Sequence, residues 1–176
     1  MKLTRILAAS LLITGIAAPA MAKDKAQAEP IVLPTPAEGT GHIVFFRPGG
    51  SGFAIGCSVN ENGEKVSSLG AGRYFVMRTT PGRHEFTVKS EAKDVLALEV
   101  EEGETQFAAC KIKMGILVGR PDLAPAKEAD FRKGKFKLVD ADDMGPGPGA
   151  LREADMTTAE IVVEEEVVIE TTGDSE

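Results

Sequence analysis

Apolar and polar positions alternate through the middle of the chain, and the alternation breaks at glycine, proline and asparagine. Residues 42–47, HIVFFR, predict a first strand, stopped by Pro48-Gly49-Gly50-Ser51-Gly52. Residues 53–60 predict a second, with Phe53, Ile55, Cys57 and Val59 on one face. Asn62-Gly63 marks a hairpin turn into a short return strand over 64–69. Two further runs flank Thr80-Pro81-Gly82-Arg83. Phe75, Met77 and Thr79 oppose Tyr74, Val76 and Arg78 in the first, and His84, Phe86 and Val88 oppose Glu85, Thr87 and Lys89 in the second. Pro81 presets φ and Gly82 tolerates positive φ, so the pair predicts a β-hairpin closed by a type II turn. Residues 95–100 and 105–114 repeat the period of two around a turn at Glu101-Glu102-Gly103-Glu104. Beyond Gly119-Arg120-Pro121 the pattern lapses. Residues 125–132 fit one or two helical turns with Pro125 near the start, and 136–139 fit a last strand.

Short strands spaced at intervals of roughly 8 to 12 residues, with turn signals between them, predict an all-β fold: an antiparallel β-sandwich, immunoglobulin-like or transthyretin-like, of about seven strands with disordered termini. The core region is 40–139.

The ends read differently. Lys2 and Arg5 precede an uncharged apolar run over 6–18 and an Ala20-Met21-Ala22 site, the pattern of a secretory signal peptide over 1–22. The run is short for a span, which takes roughly 20 apolar residues, so no membrane span is expected. Residues 23–39, with Pro30, Pro34 and Pro36, read as an extended leader. Residues 140–176 begin with the linker Gly145-Pro146-Gly147-Pro148-Gly149 and continue as an acidic tail. That tail reads either as a disordered segment or as one that adds to a sheet edge when a partner is present.

Charge follows this division. Residues 141–176 hold eleven acidic side chains and one basic, while 23–140 balance to +1 in a chain of net −7. No basic stripe interleaved with aromatics is read in either part, so nucleic acid is not expected as a partner. Eight Phe, one Tyr and no Trp leave little with which to stack sugars.

Cysteine chemistry bears on stability. Cys57 and Cys110 each fall on the apolar face of a strand, and an exported chain permits a disulfide; a bridge and two separate buried thiols are both open. The two histidines, His42 and His84, lie on predicted strands, and His84, beside Phe86 and Val88, reads as a framework residue bonded to backbone together with Pro81 and Gly82. No metal-ligand spacing accompanies them, and no cofactor or metal is expected. Gly50-Ser51-Gly52 lacks the strand-turn-helix frame of a nucleophile elbow. Asp140, Asp142 and Met144 do not give the oxygen ligands of a calcium loop.

The order Gly39-x-Gly41-x-Ile43-x-Phe45-Phe46-Arg47-Pro48, Asn62-Gly63, Gly72-x-Tyr74, Pro81-Gly82-x-His84 and Glu102-Gly103-Glu104-Thr105 resembles the bacterial family called domain of unknown function 2846. The resemblance covers residues 40–139. Many members resemble lipoproteins, whereas this chain has its first cysteine at Cys57 and no lipidation site. The Pro-Gly-x-His turn is also similar to that of small sandwiches in surface-layer and carboxypeptidase-appended modules, which implies an accessory role and no inherited catalytic residue.

The expectation is therefore a periplasmic or secreted, non-catalytic envelope module that binds an envelope protein or wall component. The glycine loop Arg47, Pro48, Gly49, Gly50, Ser51 and Gly52 is its candidate interaction surface. The alternative is an envelope hydrolase using Glu101, Glu102 and Glu104, which must then sit in a cleft with separated pKa values.

Overall fold

Seven consecutive residues, Gly41–Arg47, are buried at every position, which a strand with one wet face cannot be. This strand, β1, is the middle of the molecule. The computed structural model describes residues 30–50, 54–88, 94–114, 119–143 and 149–156. Among them β1 is followed by β2 (Cys57–Glu61), β3 (Glu64–Leu69), β4 (Arg73–Thr79), β5 (Gly82–Val88), β6 (Asp94–Val100), β7 (Thr105–Met114) and β8 (Gly119–Ala126), then helix α1 (Glu128–Lys133) and β9 (Lys137–Leu138). The signal peptide, residues 23–29 of the leader, Ser51, Gly52 and the tail beyond 156 lie outside the described residues.

The strands form two sheets in the orders β8-β7-β1-β4-β9 and β3-β2-β5-β6, so the all-β sandwich class is correct. The larger sheet is mixed. β1 pairs antiparallel with β4 but parallel with β7, and β4 pairs parallel with β9.

The main core lies between the sheets. Ile43, Phe45, Phe75, Met77, Ala108 and Cys110 from one sheet meet Cys57, Val59, Val66, Phe86, Leu96 and Leu98 from the other. A second cluster covers the outer face of the larger sheet, where Val44, Phe46, Tyr74, Val76 and Phe107 pack under Phe131, Phe136 and Leu151. Ile31 and Leu33 of the leader, with Met156 near the other end of the described chain, pack on that same cluster. The doubly apolar runs of β1 and β4 follow from this: one face fills the sandwich and the other holds a covering layer.

Three expectations are corrected. The runs on either side of Pro81-Gly82 do not pair as a hairpin, since β4 belongs to the five-stranded sheet and β5 to the four-stranded one. Gly82, at φ 131°, turns the chain across the sandwich instead. The lapse after Gly119 is strand β8, whose prolines Pro121 and Pro125 are tolerated because it is an edge strand, paired only with β7 in its sheet. Finally, residues 149–151 belong to the folded unit. Ala150 bridges Met77, and Leu151 N–H donates to the Val76 carbonyl at 2.8 Å, extending the β4 edge begun by β9.

The Asn62-Gly63 turn is as expected, with φ of 51° and 85° at its two central residues. Cys57 on β2 and Cys110 on β7 form a disulfide that ties the two sheets together.

Candidate functional site

At the corner where the chain leaves β4 for β5, the edges of the two sheets part and a cleft of about 680 Å³ opens. Its wall includes Glu61 and Asn62 from the β2 end, Arg78 and Thr79 from β4, Arg83 and His84 from β5, and Gly149 from the returning segment. The local sequence dictates the arrangement. Pro81 holds Thr80 extended, Gly82 redirects the chain, and His84 arrives two residues later facing back toward the strand just left.

His84 is held by three partners. Nδ1 lies 2.7 Å from Glu61 Oε1, Nε2 lies 2.9 Å from the Thr80 carbonyl oxygen, and Thr79 Oγ1 lies 2.9 Å from Nε2. Glu61 opposes Phe86 in the β2–β5 register, so its side chain reaches His84 as a diagonal cross-strand neighbour. Both side chains are largely buried, at 15% and 13% exposure.

A hydroxyl, an imidazole and a carboxylate in contact are the parts of a nucleophilic triad. Their geometry is different. Thr79 Oγ1 is also 3.2 Å from Nδ1, and an oxygen nearly equidistant from two nitrogens that flank one carbon lies off the in-plane lone-pair axis of either. The ring nitrogens face a carboxylate and a carbonyl, both of which only accept, so the contacts are fully satisfied when both nitrogens carry hydrogen. The arrangement clasps the corner of the sandwich. It does not aim a base at the hydroxyl.

The charge left over in the cleft is Arg78. Arg83 pairs with Glu85 at 2.9 Å, an exposed contact worth little, and Glu61 is taken up by His84. Arg78 is exposed and has no ion pair among the described residues. Its backbone N–H is held by the Gly149 carbonyl at 2.7 Å, so its position along β4 is fixed while its guanidinium faces solvent.

The residues singled out from the sequence lie in several places. His84, Pro81 and Gly82 form the corner as a framework, and the backbone partner of His84 is Thr80. Arg47, expected in the interaction loop, is instead inserted between the sheets at 2% exposure. Its Nη1 donates to the Ile55 and Leu69 carbonyls, sealing the strand ends there, and burial lowers its pKa. Pro48, Gly49 and Gly50 of that loop are exposed and do not approach the cleft lining. The three glutamates of the alternative reading are spread over a turn. Glu104 Oε2 accepts from the Glu101 N–H at 2.9 Å, and Glu102 Oε1 accepts from the Gly39 N–H at 2.7 Å, so they tie backbone and do not converge. Asp140 is spent on Arg73 in a two-pronged contact of 3.2 and 2.9 Å.

Sequence reasoning missed Glu61, Thr79 and Arg78. Glu61 sits 23 residues from His84, and only the antiparallel register of β2 with β5 brings them together. It also passed over 131–137, FRKGKFK, which is a basic stretch containing two phenylalanines. Both rings point inward, with Phe131 at 1% and Phe136 at 9% exposure, so they cannot stack on bases.

No family model, curated protein or solved structure matches this chain. Among the described residues, no helix is long and apolar enough to cross a membrane.

Proposed function

We propose that this protein is a non-catalytic exported module of the cell envelope, and that it binds an envelope protein or wall component bearing an anionic group at the corner cleft. The carrying observation is the division of labour among the cleft side chains. His84 is bonded to Glu61, to Thr79 and to backbone, which makes a stiff polar wall, and Arg78, which also lines the cleft, is exposed and has no ion pair among the described residues. A guanidinium is suited to two-pronged contact with a carboxylate or phosphate. The likeness to domain of unknown function 2846 and the leading apolar segment support the accessory role and the periplasmic or secreted location.

The test is in-cell crosslinking of the full chain followed by mass spectrometry, with wild type beside Arg78→Glu. Specific envelope crosslinks in the wild type, lost in the variant at an unchanged melting temperature, are expected. Crosslinks that survive in Arg78→Glu remove the cleft from the proposal, and a wild type with none removes the binding role.

The contact of Thr79, His84 and Glu61 favours one second reading, an envelope hydrolase with Thr79 as nucleophile. A fluorophosphonate probe discriminates between them. Covalent labelling at Thr79 overturns the binding reading, and the off-axis hydroxyl predicts no labelling.

A further inference from the structure

The covering layer on the outer face of the larger sheet contains a second hollow, of about 320 Å³, formed by residues 30–31 and 131–136. Its floor is aromatic. Phe131 and Phe136 stack with centroids 5.2 Å apart and planes within 5°, and Ile31 stands beside them. Its rim is cationic. Arg132 is already bonded to the Ile31 carbonyl and to Glu128, whereas Lys133 meets Asp130 only at 3.5 Å and is 77% exposed. Lys135 has no ion pair among the described residues.

Gly134 sets this geometry. A Cβ at that position would collide with the Phe136 ring, so glycine alone lets Phe136 fold back under the loop and leaves Lys133 and Lys135 at the two sides of the opening. Residues 131–137 carry four cations and no anion within a chain of net −7, which makes this the most basic seven-residue stretch of the folded unit. A cationic rim without an apolar floor would be an ordinary solvated surface, and an apolar floor without the rim an ordinary packing defect. Together they match a ligand with one apolar end and one negative end.

We propose that this hollow binds a single-chain anionic amphiphile, a fatty-acid-like carboxylate whose chain end rests on Ile31 and Phe136 and whose head lies against Lys133 and Lys135. A cavity near the small end of the range for ligand pockets takes the end of a chain and leaves the rest along the surface. Phe131 and Phe136 offer the head group no hydrogen bond, so the lysines carry the selectivity for charge. The site lies apart from the corner cleft and stands whether or not Arg78 takes a ligand.

The test follows the Ile31 methyl resonances of the full chain during titration with decanoate, with decanol as the uncharged control and phosphatidylglycerol vesicles as the membrane source of negative charge. The expected result is saturable decanoate binding at Ile31, weakened about tenfold or more in Lys133→Glu/Lys135→Glu, with decanol bound more weakly. Both substitutions are on exposed side chains, and an unchanged melting temperature checks the fold. Equal binding of decanoate by the double variant overturns the proposal, as does equal binding of decanol. Vesicle binding without any shift at Ile31 also overturns it, because the lysines then serve surface adhesion and the hollow stays empty.

Discussion

His42 is 1% exposed, donates from Nδ1 to the Pro34 carbonyl at 3.2 Å, and leaves Nε2 without a hydrogen-bond partner among the described residues. Burial lowers its pKa below the ordinary 6.5; the Pro34 contact opposes the shift and Arg78, its cross-strand partner, adds to it. The unfolded chain therefore binds this proton more readily than the folded one. The stability is intact above pH 6.5 and is lost as the pH falls below that value and through the lower folded-state pKa. Urea denaturation at steps between about pH 7 and 5 checks this: the midpoint of the wild type should fall with pH, and that of His42→Gln should fall less. Arg47 shows the opposite economy. It is a charge placed between two sheets, and parity alone puts it on the face of Ile43 and Phe45, yet its chemistry reads as solvent-facing. The reason it can be buried, hydrogen bonds to the carbonyls of Ile55 and Leu69, lies in tertiary structure and has no trace in the local sequence.

At the scale of elements, most strands were legible because alternation reports one buried face directly. The residues of β5 and β6 alternate as expected, whereas β7 is buried on both faces over Phe107–Cys110 before it runs past the core, where Met114 is 94% exposed. Pairing was less legible. A proline-glycine turn between two apolar runs specifies a reversal but not whether the second run returns to the same sheet, and here it crosses to the other. The covering layer was written in the doubly apolar β4, but its contributors come from residues 30–33, 131–136 and 151–156, which carry no period of their own. The returning segment gives a prediction. Gly149 has φ 96°, and a Cβ there would meet the Arg78 carbonyl, so Gly149→Ala should cost about 1 to 3 kcal/mol. Faster amide exchange at Arg78 and Leu151, whose N–H groups are bonded across this junction, checks that the loss is local to it. The cleft inherits the same dependence, since Gly149 holds the backbone of Arg78.

For the molecule as a whole, the disulfide is the one covalent cross-link between the sheets beyond the backbone connections, since the chain has two cysteines. It closes a separation of 53 residues, for which the chain-entropy account gives about 4 kcal/mol. Cys57→Ser/Cys110→Ser should lower the unfolding free energy by about that amount, and an oxidised wild type titrated with urea beside the variant measures it. Both cysteines are fully buried, so reductant should act only through unfolding. The candidate site was the least legible part of the chain, because it arises where strands from both sheets end together, and its central pair, Glu61 and His84, stands 23 residues apart in sequence. One further consequence follows from the parallel pairing of β1 with β7. His42 of the central strand is matched to Thr105, a stretch that a ribosome adding roughly 5 to 20 residues per second completes in roughly 3 to 13 s. For that interval the middle of the molecule has an open edge and no closed core, which is the time window in which its unpaired strand is exposed to other chains.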